Sequence, residues 1–115
     1  MNNNILTELV QKQIKNVDSM KLLFNDIQRL NNYLSTSIFS ETECSIWNGN
    51  ISTINNNSYI LFYLNKKKYP IQRILYNNYI GTINDSEYIK FKCNNKGICC
   101  NINHFHKVND HVDKN

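Results

Sequence analysis

Thiols and an imidazole are concentrated in one short segment near the C-terminus of this 115-residue chain. Cys93, Cys99, Cys100 and His104 lie within twelve residues, and the Asn and Gly residues between them favour turns. Cysteine sulfur and histidine nitrogen are ligands that suit tetrahedral zinc. The segment therefore predicts a zinc loop that supplies three ligands. Cys44, the remaining cysteine of the chain, is the candidate for the fourth.

Amino-acid usage indicates the kind of genome that encodes the chain. Asn occurs 22 times, Ile 15 times and Lys 11 times, whereas Arg occurs twice and Ala is absent. The favoured residues have AT-rich codons and the avoided residues have GC-rich codons. We therefore expect an AT-rich genome, with a large DNA virus or a protist as the candidate source.

The sequence favours metal binding over disulfide formation. Residues 1–4 lack the basic and apolar regions of a secretory signal, and no apolar run reaches the length of a membrane span. We therefore expect an intracellular protein of the cytoplasm, nucleus, viral factory or virion, not secreted and with no membrane partner. In such reducing surroundings cysteines bind metals more often than they form disulfides.

The net charge of +4 is spread unevenly along the chain. Residues 1–43 carry four basic and five acidic groups (−1), residues 44–109 carry eight basic and two acidic groups (+6), and residues 110–115 add −1. The positive charge thus belongs to the segment with the candidate zinc ligands. Basic modules attract phosphate and release counterions, which favours a nucleic-acid partner. A solvated lysine surface is the alternative interpretation.

Apolar periodicity predicts helical structure in the N-terminal third. Between residues 5 and 36, apolar side chains recur every three or four positions and form one stripe. Asp18 and Ser19 are suitable N-cap residues, so the pattern allows a break near residue 18. The stripe predicts a helix that packs on the core, or a short coiled coil with a second copy or another partner. Residues 35–43 are polar and predict a linker.

After residue 57 the pattern changes to short elements. Residues 58–64 are rich in aromatic and branched side chains and predict a strand. Asn65 and Lys66 predict a turn into a second strand that ends before Pro70. The remaining predictions are a loop at the Asn run 55–57, a helix at 71–79, a strand at 87–92 and a helix of at most two turns from Asn109 to the end.

Three blocks stand out in the second half of the chain. Residues 44–49 read Cys-Ser-Ile-Trp-Asn-Gly, and residues 72–76 read Gln-Arg-Ile-Leu-Tyr with Gly-Thr-Ile at 81–83. Residues 91–105 contain Phe-Lys-Cys-Asn-Asn and then Cys-Cys-Asn-Ile-Asn-His-Phe. In order and spacing they resemble the segments Cys-x-x-Trp-x-Gly, His-Arg-x-x-Tyr…Gly-x-Ile and His-x-Cys-Asp-Asn-x-x-Cys-x-Asn-Pro-x-His-Leu. These segments belong to HNH homing endonucleases of the His-Me finger (ββα-metal) superfamily that carry a zinc-binding loop.

The resemblance, which covers residues 44 to about 109, implies an α+β fold. An N-terminal helical segment, residues 1–40, would precede a small zinc-stapled ββα-metal module, residues 41–115. The helical segment would serve in packing or dimerisation. The resemblance also implies a structural zinc ion held by Cys44, Cys93, Cys99 and His104.

One interval of the zinc loop departs from the family pattern. The step from Cys93 to Cys99 is one residue longer than usual, with Gly97 as the plausible insertion. Cys100 is the less favoured ligand, although it could replace Cys99.

The catalytic positions match the family poorly. The family's general base is a histidine at the end of the first strand of the finger, where this chain has Phe91, which cannot accept a proton. Gln72 replaces the histidine of the second block. Asn109 is the candidate remnant of an asparagine that helps to hold the hydrolytic metal. His106 and His111 could take over as base, although a surface location is the simpler expectation for both.

These features favour a catalytically inactive, HNH-like zinc protein that binds DNA. An active but divergent endonuclease that uses His106 or His104 beside an octahedral metal is one alternative. A zinc-stabilised subunit for protein–protein interaction is the other. The residues predicted to bind nucleic acid are Lys66, Lys67, Lys68, Arg73, Lys90 and Lys92.

Overall fold

A computed structural model describes residues 3–109, which form an α+β fold. The helices in this range are α1 (Asn3–Gln11), α2 (Phe24–Asn31) and α3 (Ile71–Tyr79). The strands are β1 (Ser52–Ile54), β2 (Asn57–Tyr59), β3 (Leu61–Leu64), β4 (Lys67–Pro70), β5 (Glu87–Phe91) and β6 (Phe105–Asn109). The strands pair consecutively into three antiparallel hairpins, β1–β2, β3–β4 and β5–β6.

The N-terminal segment is less helical than its apolar stripe predicts. The break allowed near residue 18 is confirmed, but it extends over residues 12–23 and leaves two short helices. The second helix starts where the Leu23 N–H donates to the Asp26 carboxylate at 3.0 Å, which satisfies one free donor of the first turn. The broken stretch is held by α3 instead, since the Ile14 N–H donates to the Asn78 carbonyl at 2.9 Å.

The apolar stripe is buried in part. Ile27, Leu30 and Leu34 are almost fully inaccessible and lie in the hydrophobic core, whereas Val10 and Phe24 are 43% and 54% exposed. This is the core-helix arrangement that the stripe allowed. Pairing with a second copy or another partner through this segment stays a prediction.

Two neighbouring asparagines on α3 hold the N-terminal segment in place. Asn78 is fully buried, and its Nδ2 donates to the Met20 carbonyl at 2.9 Å while its Oδ1 accepts the Leu22 N–H at 3.0 Å. Asn77 Nδ2 donates to the Ser19 carbonyl at 2.7 Å. These buried amides replace the backbone pairing that a helix through residues 12–23 would have made.

The turns of the first two hairpins each contain two consecutive residues in the left-handed backbone conformation. Asn55 and Asn56 have φ of 53° and 67°, and Asn65 and Lys66 have φ of 51° and 66°. Two consecutive positive φ values give the tight hairpin turn that matches strand twist, and Asn tolerates this conformation. The turn at residues 65–66 is therefore confirmed, whereas the Asn run at 55–57 makes a turn into β2 rather than an open loop.

The predictions for residues 58–92 are confirmed in large part. The helix at 71–79 has the predicted bounds, and β5 ends one residue before the predicted limit. The single strand predicted at 58–64 is interrupted at Ile60, which is buried, so β2 and β3 belong to different hairpins.

The β5–β6 hairpin positions the loop that contains most of the candidate ligands. Residues 92–104 connect the two strands, and the Lys92 N–H donates to the His104 carbonyl at 2.8 Å, which closes the base of the loop. Asn109, predicted to begin a final helix, is instead the last residue of β6. The helix predicted after Asn109, which the ββα-metal arrangement requires, falls outside the described residues, as does His111.

Candidate metal centre

Four side chains from distant parts of the chain converge on one point. The Sγ atoms of Cys44, Cys93 and Cys99 and a ring nitrogen of His104 lie within 4.8 Å of one another. Cys93 follows β5, His104 ends a 3-10 turn that leads into β6, and Cys44 precedes β1, 60 residues from His104. The structure therefore brings together the four residues that the resemblance implied as ligands.

Backbone pairing places Cys44 beside the loop. The segment that follows it runs alongside the end of the loop, where the Trp47 N–H donates to the Ile98 carbonyl at 3.0 Å. The Cys100 N–H donates to the Ser45 carbonyl at 2.6 Å. These two bonds fix the distance between the first cysteine and the loop without help from the side chains.

The separations between the donor atoms fit a tetrahedral metal. Nδ1 of His104 lies 3.4 Å from Cys44 Sγ and 3.5 Å from Cys99 Sγ. With Zn–S of about 2.3 Å and Zn–N of about 2.05 Å, a tetrahedral site separates nitrogen from sulfur by about 3.5 Å and sulfur from sulfur by about 3.8 Å. The four donor atoms lie within 4.8 Å of one another, which exceeds the sulfur–sulfur separation of a tetrahedral zinc site by about 1 Å. The set could therefore hold a metal ion after a small contraction.

Burial and hydrogen bonding act in opposite directions on the thiols. Burial raises the pKa of Cys99 to about 12. A hydrogen bond from the Asn95 side chain lowers the pKa of Cys44. The Asn101 backbone N–H donates to Cys99 Sγ at 3.4 Å, which favours the thiolate. Asn95 was not among the predicted site residues. The Cys-Asn-Asn run of the third block, in which it lies, is the sequence signal that points to it.

Asn101 ties the loop to the segment that precedes Cys44. Its side chain is fully buried, and its Nδ2 donates to the carbonyls of Ser40 and Glu43 at 2.8 Å and 2.6 Å. Its Oδ1 accepts the Asn103 N–H at 2.8 Å and so closes the 3-10 turn before His104. The Asn101 side chain thus holds both the segment before Cys44 and the turn before His104 in place.

The neighbouring cysteines Cys99 and Cys100 have different environments. Cys100 is fully buried in the hydrophobic core, and burial raises its pKa. Cys99 Sγ belongs to the four-residue cluster. Of the two alternatives left open by the sequence, the structure therefore selects Cys99.

Gly97, the plausible insertion, allows the loop to pass close to β2. Its φ is +84°, and a Cβ at this position would collide with the Ser58 carbonyl. Only glycine fits both the backbone conformation and the space.

An aromatic pair occupies the position where the resemblance implies a general base. Phe91 lies opposite Phe105 in the β5–β6 register, and their rings meet edge to face with centroids 5.4 Å apart. His106 is exposed and lies opposite Lys90. Gln72 is half-buried on α3. None of these residues belongs to the cluster that the structure shows within residues 3–109.

The predicted nucleic-acid-binding residues fall into two groups. Lys66, Lys67 and Lys68 are exposed at the turn and start of β4, and Lys90 and Lys92 are exposed in and just after β5. Arg73 differs, because its guanidinium donates to the carbonyls at positions 87 and 84, at 2.7 Å and 3.1 Å. It therefore ties α3 to the start of β5.

The chain is similar to a viral protein. It is 48% identical over 109 residues to the uncharacterized protein R328 of Acanthamoeba polyphaga mimivirus. The match includes 91% of this chain and 32% of that protein, so the chain spans about a third of the length of its relative. A viral relative is in line with one of the two sources that the composition predicted. Neither a family model nor a solved structure matches the chain.

Among the helices described between residues 3 and 109, none combines the length and apolarity needed to cross a bilayer.

Proposed function

We propose that Cys44, Cys93, Cys99 and His104 bind one zinc ion with a structural role. Three thiolates and one imidazole suit zinc better than they suit the harder cations magnesium and calcium. The nearly equal distances of 3.4 Å and 3.5 Å from one ring nitrogen to two sulfurs support a common centre between them. Protein side chains supply all four tetrahedral positions, which leaves none for substrate or water.

We further propose that the chain is an HNH-like module that binds DNA without cleaving it. The observation that carries this proposal is the packing of Phe91 against Phe105, next to the cluster of four candidate ligands. A phenyl ring in that place cannot take a proton from water, and positioned general-base catalysis contributes roughly 10²–10⁴-fold to rate. The zinc framework would then survive as a scaffold for binding.

The distribution of charge supports an anionic partner. No acidic residue occurs between Cys44 and Asn84, and the lysines at positions 66–68 lie within this stretch. Zinc with three thiolates contributes about −1, so the +6 of residues 44–109 becomes about +5 in the metal-bound protein. A surface of this kind releases counterions from DNA on binding.

We expect the lysines of the β3–β4 turn to give duplex binding a steep dependence on salt. If Lys66, Lys67 and Lys68 each neutralise one phosphate, raising salt from about 50 to about 200 mM weakens binding roughly 40-fold through them. Replacing all three with Gln should remove most of that dependence, as measured by fluorescence anisotropy with a labelled duplex.

A second triple variant controls for the change in net charge. Lys12, Lys15 and Lys21 lie in the N-terminal segment, and replacing them with Gln removes the same three charges. This variant should keep the parental salt slope. Equal effects of the two variants would contradict a site at the turn. A wild-type protein that binds no DNA at low salt would contradict DNA binding altogether and favour the protein-interaction alternative.

The same protein should show no nuclease activity. Incubation of supercoiled plasmid with Mg²⁺ or Mn²⁺ should leave the DNA intact, because the base position holds Phe91. Nicking that disappears in Asn109→Ala or His106→Ala would instead establish an active, divergent endonuclease. A buffer-only incubation and a digestion with a known nuclease set the two limits of the gel assay.

A further inference from the structure

An aromatic cleft lies beside the β3–β4 hairpin, and none of the four cluster residues lines it. Its volume of about 150 Å³ is below the roughly 300–1,000 Å³ of small-molecule pockets. Trp47 and Phe62 are buried in it with ring centroids 6.3 Å apart, and Tyr33 stacks at a tilt on Trp47 with centroids 4.9 Å apart. The accessible aromatic surface at the cleft belongs to Tyr33 and Tyr63, which are 41% and 53% exposed.

The lysines lie on the same hairpin as the exposed tyrosine. Tyr63 and Lys68 are direct partners in the antiparallel β3–β4 register, so their side chains lie on the same face. Lys66 and Lys67 follow at the turn and the start of β4, and both are exposed. The Tyr63 ring and the Lys68 ammonium group therefore share one face, and Lys66 lies at the adjoining turn, whereas Lys67 pairs with Leu64 on the opposite face.

Arg29 holds one wall of the cleft in place. Its guanidinium lies 4.6 Å from the centroid of the Phe62 ring, and its Nη2 donates to the Tyr63 carbonyl at 2.8 Å. The same Nη2 forms an ion pair with Asp26 at 2.8 Å, so much of the charge of this arginine is compensated locally. The positive charge available to a ligand comes mainly from the three lysines.

We propose that this cleft and the adjoining face of the hairpin bind an unpaired stretch of DNA. Bases would stack on Tyr63 and Tyr33, and phosphates would contact Lys66 and Lys68. This inference rests on the proposed DNA binding and specifies the form of DNA that the site takes. Base–aromatic stacking beside a basic groove is the general mode by which proteins hold single strands.

Charge alone favours the opposite preference. Duplex DNA carries the higher charge density and gives the steeper counterion release per phosphate contact. The bases of a duplex are stacked on each other and expose no faces to an aromatic side chain. A preference for single strands would therefore report stacking in the cleft rather than the lysine charge. The acid-free stretch from Cys44 to Asn84 disfavours a neutral apolar peptide. It would attract an acidic peptide as well as DNA, but only a nucleic acid also supplies flat bases that can stack on the exposed rings of Tyr33 and Tyr63.

The test compares a labelled 20-mer of mixed sequence as single strand and as duplex, with the zinc-loaded full chain. We expect the single strand to bind about 10-fold more tightly at equal salt, and Tyr63→Ala to weaken its binding about 5- to 100-fold. Tyr63→Phe, which keeps the ring, should stay within about 3-fold of wild type. Trp47, the single tryptophan of the chain, provides a second readout, because its fluorescence should change on binding the single strand.

Phe24→Ala is the matched control, since Phe24 is 54% exposed and lies at the start of α2 rather than among the residues that line the cleft. It should bind both forms as wild type does. If duplex and single strand bind equally and Tyr63→Ala changes neither, the cleft assignment is wrong while DNA binding stands. If neither form binds, the proposed function itself fails. A same-sequence RNA strand that binds more tightly than the DNA strand would overturn the assignment to DNA.

Discussion

Stripping the metal should unfold the C-terminal half of this protein. The cluster joins Cys44 to a loop 49 to 60 residues further along, and a bound metal would reinforce the backbone bonds by which Ser45 and Trp47 already pair with that loop. Structural zinc contributes about 10–16 kcal/mol in small zinc peptides, which matches or exceeds the whole stability of about 5–15 kcal/mol of an ordinary domain. We expect one zinc per chain by native mass spectrometry, and loss of the cooperative thermal transition when a strong chelator is added.

The two adjacent cysteines supply a matched pair of variants. Cys99→Ala removes a ligand and should lower the zinc content below one per chain, with a loss of stability of at least about 3 kcal/mol. Cys100→Ala removes a buried sulfur that lies outside the cluster, so it should keep one zinc and cost about 1 kcal/mol. A chain that is purified metal-free and still melts cooperatively would contradict the structural role. Zinc loss in Cys100→Ala with retention in Cys99→Ala would reverse the ligand assignment.

The second large effect concerns the attachment of the N-terminal segment. Asn78→Ala should reduce the free energy of unfolding by about 2–5 kcal/mol, because it leaves two backbone groups beside the buried amide without their side-chain partner, at roughly 1–3 kcal/mol each. These are the Leu22 N–H and the Met20 carbonyl, which lie 3.0 and 2.9 Å from the Asn78 amide. The Ile74 carbonyl, 2.8 Å from Nδ2, keeps its helical bond within α3. Urea denaturation followed by circular dichroism measures the change.

Asn32→Ala is the control for this variant. Asn32 is exposed just after α2, so its replacement should change stability by no more than about 0.5 kcal/mol. Limited proteolysis adds a readout specific to the attachment, since Asn78→Ala should expose residues 12–23 to cleavage before the rest of the chain unfolds. A loss below about 1 kcal/mol for Asn78→Ala would show that the apolar contacts of Leu9 and Leu30 suffice to hold the segment.

Local patterns predicted the elements whose pairing is also local. The predictions of the α3 helix from Ile71 to Tyr79 and of the turn at Asn65 are confirmed. Apolar periodicity, turn residues and Pro70, which lies before the helix, all act over a few positions. The apolar stripe predicted the burial of Ile27, Leu30 and Leu34, but it was wrong about the exposed Phe24 and about helix length. Apolar periodicity does not report hydrogen-bond partners, and residues 12–23 bond to α3 instead of forming a helix of their own.

The set of candidate ligands was also accessible from the sequence, because Cys and His have few other reasons to cluster and the resemblance supplied their order. The resemblance also favoured Cys99 over Cys100, but it left an exchange of the two open, since two adjacent residues differ mainly in the face that each presents. That face is fixed by the pairing of the loop with Ser45 and Trp47, more than 50 residues earlier in the chain.

By itself the sequence determined the donor set, the basic character of the second half and the short elements with local hydrogen bonds. The tertiary structure alone decided that Cys100 is buried in the core outside the cluster, where the N-terminal segment lies and that Arg29, Trp47 and Tyr63 share one cleft. The physical reason is range: composition and periodicity act within a few residues, whereas these arrangements depend on buried contacts between segments that lie far apart in the chain.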